Sequence, residues 1–214
     1  MSEPVPLNSR FTKLVALAWT NVALHAAGLA MAWIGLRPGS VMIPLTERMT
    51  YLLNRPPAWA WGWGIWMLCA LVLVAFMAAL RRRLPGDPFF AQLALVFTVA
   101  GMAVDLVCDM IQIRALPEAA QAGPAVFLAF EGLAFTGGLT VANGLYTIGL
   151  LLMNLRLRNL VGASAQWAGW VSVVWGLTLA IAGFFPSPVL LQTATGLTIG
   201  SYCLWTVLVA RDLR

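Results

Sequence analysis

The sequence predicts an all-α membrane protein, one bundle of six transmembrane helices with both termini in the cytoplasm. The chain of 214 residues is 61% hydrophobic and only 10% charged, whereas soluble domains contain roughly 25% charged residues. Its apolar residues form uninterrupted runs of about 20 residues, the length at which a helix crosses a bilayer with its backbone polar groups paired internally. Its basic residues collect in alternate connections, as is typical of a polytopic protein.

The apolar segments account for residues 1–214 as a single membrane-embedded domain. Their approximate spans are residues 14–36, 58–80, 89–113, 125–153, 166–185 and 189–210. The connections are rich in turn-forming and charged residues: RPGS and NRPP before the second span, RRRLPGDP and LPEAAQAGP on either side of the third, NLRLRN after the fourth and PSP before the last. The N-terminal MSEPVPLNSRFTK lacks the order of charge, apolar core and cleavage site of a signal peptide, so we expect the first span to be retained.

The first span contains two polar side chains, Asn21 and His25. His25 falls near the middle of the span, and because it is the only histidine of the chain, a bis-histidine haem or a multi-histidine metal centre is excluded. A histidine at this depth is either a hydrogen-bonded core residue or a proton-handling one. Asn21 is a candidate neutral partner for an acid inside the bundle.

The connection before the second span, PLTERMTYLLNRPP, predicts a short amphipathic helix from about Leu45 to Leu53. Such a helix either lies flat on the bilayer surface or acts as a lid.

The second span opens with the segment WAWGWGIW, which contains Trp59, Trp61, Trp63 and Trp66. Tryptophans at the end of a span are typical of an aromatic belt at the level of the lipid headgroups. A cage for cationic ligands is the alternative interpretation.

The third and fourth spans contain the acids of the membrane interior. In the segment AVDLVCDMIQIR, Asp105 and Asp109 lie four residues apart and therefore on one helix face. Glu131 lies near the adjacent end of the fourth span. At about 1.5 Å of rise per residue, Asp105 falls a few ångströms outside the midplane, and Asp109 and Glu131 about 12 Å outside it. We therefore expect three carboxylates to face one cavity in the outer half, with His25 or Asn143 beneath them.

A structural role for these acids is the alternative. A charged residue at the centre of a spanning helix costs about 2.5 to 3.5 kcal/mol, and such residues commonly mark function. Asp109 and Glu131, however, fall close enough to the outer interface to reach water, and Arg114 is close enough to pair with Asp109. Asp105 has no cation nearby in its own helix, so its expected neutral partners are Asn21 and Asn143.

Small residues indicate where helices pack closely. Gly169, Gly176 and Gly183 recur at every seventh position of the fifth span, GLTIG provides a GxxxG from Gly196 to Gly200 in the sixth, and the fourth contains Gly137, Gly138, Ala142 and Gly149. We expect packing within the chain, and a dimer interface is the alternative.

The three cysteines, Cys69, Cys108 and Cys203, lie on different spans without CxxC spacing and are interpreted as core residues.

The distribution of Lys and Arg predicts the orientation. With the N-terminus in the cytoplasm, nine of the thirteen basic residues lie inside, and only Arg37, Arg48, Arg55 and Arg114 lie outside. The net charge of +5 is then explained by basic residues at the cytoplasmic surface, which contact anionic lipid headgroups. No nucleic-acid partner is needed to explain it. The expected location is the inner membrane of a bacterium.

The residue types and motifs of the sequence exclude several classes of membrane protein. A retinal protein needs a lysine within a helix, and the sole Lys13 lies at a helix end. The sequence has no HExxH and no P-loop, no GxSx serine motif with a second-helix histidine as in rhomboid proteases, and too few histidines for a lipid hydroxylase or desaturase. No motif identifies a cofactor.

Three hypotheses remain. The first is an outward-facing pocket that binds or transports a cation, a proton or an amine-bearing amphiphile through Asp105, Asp109, Glu131, His25, Asn143 and Asn21. The second is a non-catalytic subunit that packs in the lipid against a larger membrane complex or against copies of itself. The third, and the least supported, is a lipid-modifying enzyme with a carboxylate as acid or base, because no nucleophile and base can be paired from the sequence.

Overall fold

The computed structural model describes residues 7–185 and 187–213, with side chains described from Lys13 onward. All regular secondary structure in these ranges is helical. The α-helices are α1 (Leu7–Met31), α2 (Leu45–Leu53), α3 (Pro57–Arg81), α4 (Phe89–Met110), α5 (Leu116–Ala122), α6 (Pro124–Phe135), α7 (Asn143–Leu157), α8 (Ala163–Ala182) and α9 (Pro188–Asp212). The prediction of α2 from Leu45 to Leu53 is therefore confirmed.

Three π-helical turns extend or join these helices. They are Ala32–Leu36 after α1, Ile111–Ala115 between α4 and α5, and Thr136–Ala142 between α6 and α7. Within the described residues, six continuous helices are then long and apolar enough to cross a membrane: Lys13–Gly39, Pro57–Arg81, Phe89–Ala122, Pro124–Leu157, Ala163–Ala182 and Pro188–Asp212. This confirms the number of spans that the sequence predicts.

The third and fourth helices are longer than predicted. The segment LPEAAQAGP, expected to be a loop after residue 113, is helical up to Ala122. Pro117 is tolerated because it follows the π-helical turn Ile111–Ala115, and the Gln112 carbonyl, five residues before it, accepts from the Trp59 indole at 2.7 Å instead of from the missing N–H. The chain turns only at Gly123, whose φ of 116° is accessible to glycine. At its other end the fourth helix continues to Leu157 rather than to residue 153.

The spans form a closed ring in chain order. α3 contacts α1 and α4, α4 contacts α7, α7 contacts α8, α8 contacts α9, and α9 returns to α1. Leu14 near the start of α1 shares one apolar cluster with Val209 and Ala210 near the end of α9. Both ends of the described chain therefore lie at the same end of the bundle, which we call the basic end because Lys13, Arg81, Arg156 and Arg211 all belong to it.

The other end of the bundle is covered by residues 37–56, which we call the cap. The cap contains α2, which packs against α5 and α6. Leu52 of α2 is fully buried in a cluster with Leu36, Trp59, Leu116 and Phe127. Farther along, Val41 and Met42 pack against a second cluster that contains Leu179 and Leu191 from α8 and α9. The cap therefore spans from one side of the ring to the other.

The seam between α7 and α8 depends on the glycines that recur at every seventh position. A Cβ atom placed on Gly169, Gly176 or Gly183 would overlap the side chain of Asn154, Thr147 or Thr140, respectively. Thr140, Thr147 and Asn154 of the fourth span have the same seven-residue spacing as these glycines. Along the two antiparallel helices, each of them therefore lies opposite one glycine. These glycines pack within the chain, as expected. In contrast, no described atom outside the helix lies within 4 Å of a Cβ placed on Gly196 or Gly200.

Candidate ligand cavity

The ring encloses a cavity of about 540 Å³ beneath the cap. It extends from cap residues such as Val41 and Met42 to Met77 and Leu150, which belong to the core cluster of the basic end. Every span contributes to its wall, and most of the lining side chains are apolar. The volume falls within the roughly 300 to 1,000 Å³ of small-molecule sites, which combine apolar walls with a few placed polar groups.

The structure brings five of the six predicted site residues to this one cavity. The lining includes Asp105, Asp109, Glu131, His25 and Asn143. Asn21 is fully buried, and its side-chain amide makes no hydrogen bond among the described residues. It therefore lies behind the wall and does not line the cavity.

Asp105 and Asp109 project from neighbouring turns of α4. Asp105 accepts a hydrogen bond of 3.1 Å from the Tyr146 hydroxyl of α7, so its partner is neither of the amides that the sequence suggested. Asp109 is only 2% exposed, and its Oδ2 atom has no hydrogen-bond partner among the described residues. Asp109 does not reach water at an interface, because the third helix continues well beyond it to Ala122.

Arg114 does not neutralise the negative charge of Asp109. Its guanidinium lies 3.6 Å from Glu118, and both side chains are exposed. In the part of the chain that the structure describes, neither Asp105 nor Asp109 forms a salt bridge with a basic side chain. Two carboxylates four residues apart repel each other when both are ionised, so this pair favours a cation or a proton between its members.

Glu131 has a partner that the sequence analysis did not identify. Arg48 of α2 donates to its Oε2 at 2.7 Å, and both side chains are about nine-tenths buried. Arg48 also donates to the Ile43 carbonyl at 2.7 Å and lies over the Phe127 ring. The third acid of the cavity is therefore neutralised by the cap, and it joins α2 to α6.

His25 and Asn143 satisfy backbone carbonyls. His25 Nδ1 is 2.9 Å from the Asn21 carbonyl oxygen, so a neutral imidazole donates there and carries its lone pair on Nε2. Asn143 donates at 3.0 Å to the carbonyl of Gly138 within a π-helical turn. Both residues line the cavity, and His25 lies between the rings of Trp66 and Tyr202.

The tryptophans of WAWGWGIW divide between two environments. Trp59, Trp63 and Trp66 share one face of α3 and line the cavity, and Trp59 is only 3% exposed. Trp61 is 71% exposed on the other side of the helix. The prediction of a single interfacial belt is therefore wrong for three of the four residues, because helical periodicity turns those three inward. The alternative interpretation, a cage for cationic ligands, would involve Trp59, Trp63 and Trp66, which face the cavity.

The π-helical turns also shape this site. Each contributes lining residues: Ala32, Trp33 and Leu36 from the first, Gln112 from the second, and Gly138 and Leu139 from the third. Such turns are frequent at functional sites because the extra residue re-aims the side chains around it. They leave little signal in the sequence.

Two further site residues were missed by sequence reasoning. Tyr146 follows Asn143 by three positions and so shares its helix face, a signal that pointed to the same cavity. Arg48 appeared in the predicted amphipathic helix, but its position relative to Glu131 depends on a contact across 83 residues.

The arrangement combines an apolar chamber, three tryptophans and two carboxylates without a basic partner among the described residues. Chemically it suits a cation with an apolar body. No protein-family model, no curated protein and no solved structure matches this chain.

Proposed function

We propose that the protein binds an amine-bearing amphiphile in the cavity, with the ammonium group at Asp105 and Asp109 and the apolar tail along the remaining wall. One observation carries the proposal. Asp109 is 2% exposed in a mostly apolar cavity and has no cationic partner among the described residues. A buried carboxylate is costly unless it is paired or protonated, and a bound ammonium ion would pair it.

The apolar lining favours an amphiphile over a hydrated metal ion. A divalent cation such as Ca²⁺ requires six to eight oxygen ligands, whereas the charged oxygens without a basic partner here belong to Asp105 and Asp109. Among the described residues, no group of three His, Cys, Asp or Glu side chains is placed to hold a metal. Binding is the first step of a carrier as well, so transport of the same ligand is compatible with the proposal.

The test is ligand-dependent thermal stabilisation of the purified protein in a non-ionic detergent. We expect octylammonium to raise the melting temperature, and octanol and octanoate at the same concentration to have no such effect. A ligand at 100 times its dissociation constant adds about 2.7 kcal/mol to the free energy of unfolding. Asp109→Asn should abolish this shift because it removes the counter-charge.

Glu118→Gln provides the matched control, since it removes an acid that is exposed and lies outside the cavity lining. This variant should keep the full octylammonium shift. Equal stabilisation by octanol, or a shift that survives in Asp109→Asn, would contradict the proposal.

A second candidate, a subunit of a larger membrane assembly, is favoured by the GxxxG of α9. Gly200 is exposed, and no described neighbour fills the space beside it, so another helix has room to approach there. Gly196 is also exposed, but it lines the cavity. We expect Gly200→Leu to leave the mass of the detergent-solubilised particle unchanged if the cavity is the function. A loss of mass relative to wild type would favour the assembly.

A further inference from the structure

We infer that the cation of the ligand is a methylated ammonium group, of the quaternary or tertiary kind, held against the indole faces of Trp63 and Trp66 with Asp109 as the counter-charge. This inference rests on the proposed function and specifies its ligand class. It is carried by the position of the tryptophans relative to the acids.

The helices α3 and α4 are antiparallel neighbours whose levels are fixed by one hydrogen bond. The Trp59 indole N–H donates at 2.7 Å to the carbonyl oxygen of Gln112. Because both helices rise by about 1.5 Å per residue, Trp63 lies at the level of Asp109 and Trp66 at the level of Asp105. The rings and the carboxylates therefore line the same depth of the cavity.

The rings form a corner rather than a flat wall. The centroids of Trp59 and Trp63 are 5.6 Å apart, and their planes are inclined by 75°. Trp66 packs against Gly28 and lies edge-on to His25, with centroids 6.1 Å apart. A ring face attracts a cation through its quadrupole, and tryptophan does so most strongly. Aromatic cages are the arrangement by which proteins hold quaternary ammonium groups, and here three tryptophans and two carboxylates line one cavity.

Hydrogen-bonding capacity distinguishes the classes of amine. A primary ammonium group has three N–H donors that need acceptors. On the acidic wall, Tyr146 uses one acceptor position of Asp105, and the indole N–H of Trp63, buried and unpaired among the described residues, is itself a donor. The acceptors left for these N–H groups are Asp109, the rest of Asp105 and the Nε2 lone pair of His25. A trimethylated group has no N–H to satisfy, and it loses less hydration when it enters an apolar chamber. Because dehydration costs a methylated group less and the tryptophans of the lining attract it without hydrogen bonds, the site favours methylated over primary amines of equal chain length.

The experiment compares octyltrimethylammonium with octylammonium in the thermal-stabilisation assay. We expect the wild type to bind the trimethylated compound about tenfold more tightly, the size of a cation–π contribution of about 1.4 kcal/mol. Trp63→Leu should remove most of this preference, whereas Trp63→Phe should retain part of it because a ring face remains. Trp61→Leu is the matched control on the same helix, since that ring is exposed on the other side.

The outcomes separate this inference from the proposed function. Equal affinity for the two compounds, with both shifts lost in Asp109→Asn, would overturn the methylated-ammonium inference and leave the amine-binding function intact. An unchanged preference in both Trp63 variants would also overturn it. If neither compound stabilises the wild type, the proposed function fails and the inference fails with it. The melting temperature without ligand shows for each variant that the fold is retained.

Discussion

At the scale of single residues, two buried acids of the same cavity have opposite surroundings. Glu131 is 7% exposed and pairs with Arg48, whereas Asp109 is 2% exposed and has no cation beside it among the described residues. A buried ion pair contributes little net stability, but a buried charge that loses its partner is strongly destabilising. Glu131 thus has the character of a structural acid, and Asp109 that of an acid available to a ligand.

The Arg48–Glu131 pair yields a stability prediction. Arg48→Met should lower the free energy of unfolding by about 3 to 5 kcal/mol because it leaves Glu131 buried and unpaired. The double variant Arg48→Met with Glu131→Leu should recover most of that loss. Arg55→Met is the control: its partner Glu118 is 3.9 Å away and both side chains are exposed, so its effect should stay below about 1 kcal/mol. Chemical unfolding in detergent measures the wild type, these three variants and the single variant Glu131→Leu. Losses of the two single variants that add up in the double variant would refute the pairing.

At the scale of helices, the seam between α7 and α8 depends on the absence of side chains. Gly169 and Gly176 of α8, and Gly183 directly after it, face Asn154, Thr147 and Thr140, respectively. Thr147 additionally donates at 2.7 Å to the Asn143 carbonyl. Asn154 is fully buried and accepts from the Trp205 indole at 3.2 Å. Because interiors are close-packed, a methyl group added at such a contact has to displace a neighbour.

Gly176→Ala tests this seam. We expect it to lower the free energy of unfolding by about 1 to 3 kcal/mol, because the β-branched Thr147 has little rotamer freedom with which to move aside. Thr147→Ala in the same chain should restore part of the loss by making room for the methyl group. Gly200→Ala should be neutral or slightly stabilising, since a Cβ there meets open space and alanine favours helix. Equal effects of the two glycine substitutions would show that helix propensity, not packing, governs α8.

At the scale of the whole molecule, the ring has two chemically different ends. Arginines of α3, α7 and α9 collect at the basic end. At the cap end, Arg48, Arg55 and Arg114 are each within 4 Å of a glutamate, and Arg37 lies over the Trp33 ring. Because nine of the thirteen Lys and Arg residues fall in the segments of the basic end, the positive-inside rule predicts that this end lies in the cytoplasm and the cap outside.

Labelling with a membrane-impermeant maleimide tests this orientation. In a background with the three native cysteines replaced by alanine, Gln121→Cys at the cap end should react in intact cells. Ser164→Cys at the basic end should react only after permeabilisation. Both positions are exposed, so a difference between them reports on the side of the membrane. Labelling of Ser164→Cys in intact cells would reverse the proposed orientation.

Much of the architecture was predictable because it depends on local chemistry. Runs of apolar residues predict spanning helices, because a single segment in lipid can satisfy its backbone hydrogen bonds only as a helix. The amphipathic segment around Arg48 predicted α2 with the ends that the structure shows. The helix ends at Ala122 and Leu157 were not predicted. A proline in a first turn resembles a loop in the sequence, and an asparagine or arginine in a last turn resembles a helix stop.

The helical class, the number of spans and the face that Asp105 and Asp109 share can be derived from the sequence, because hydropathy and helical periodicity are properties of neighbouring residues. Which polar groups meet depends on how the helices pack. The pairing of Glu131 with Arg48, the hydrogen bond from Tyr146 to Asp105 and the inward face of the tryptophans all depend on contacts between distant segments. The physical reason is that a buried charge or ring is stabilised by whatever packs against it, and the ring of helices sets that partner.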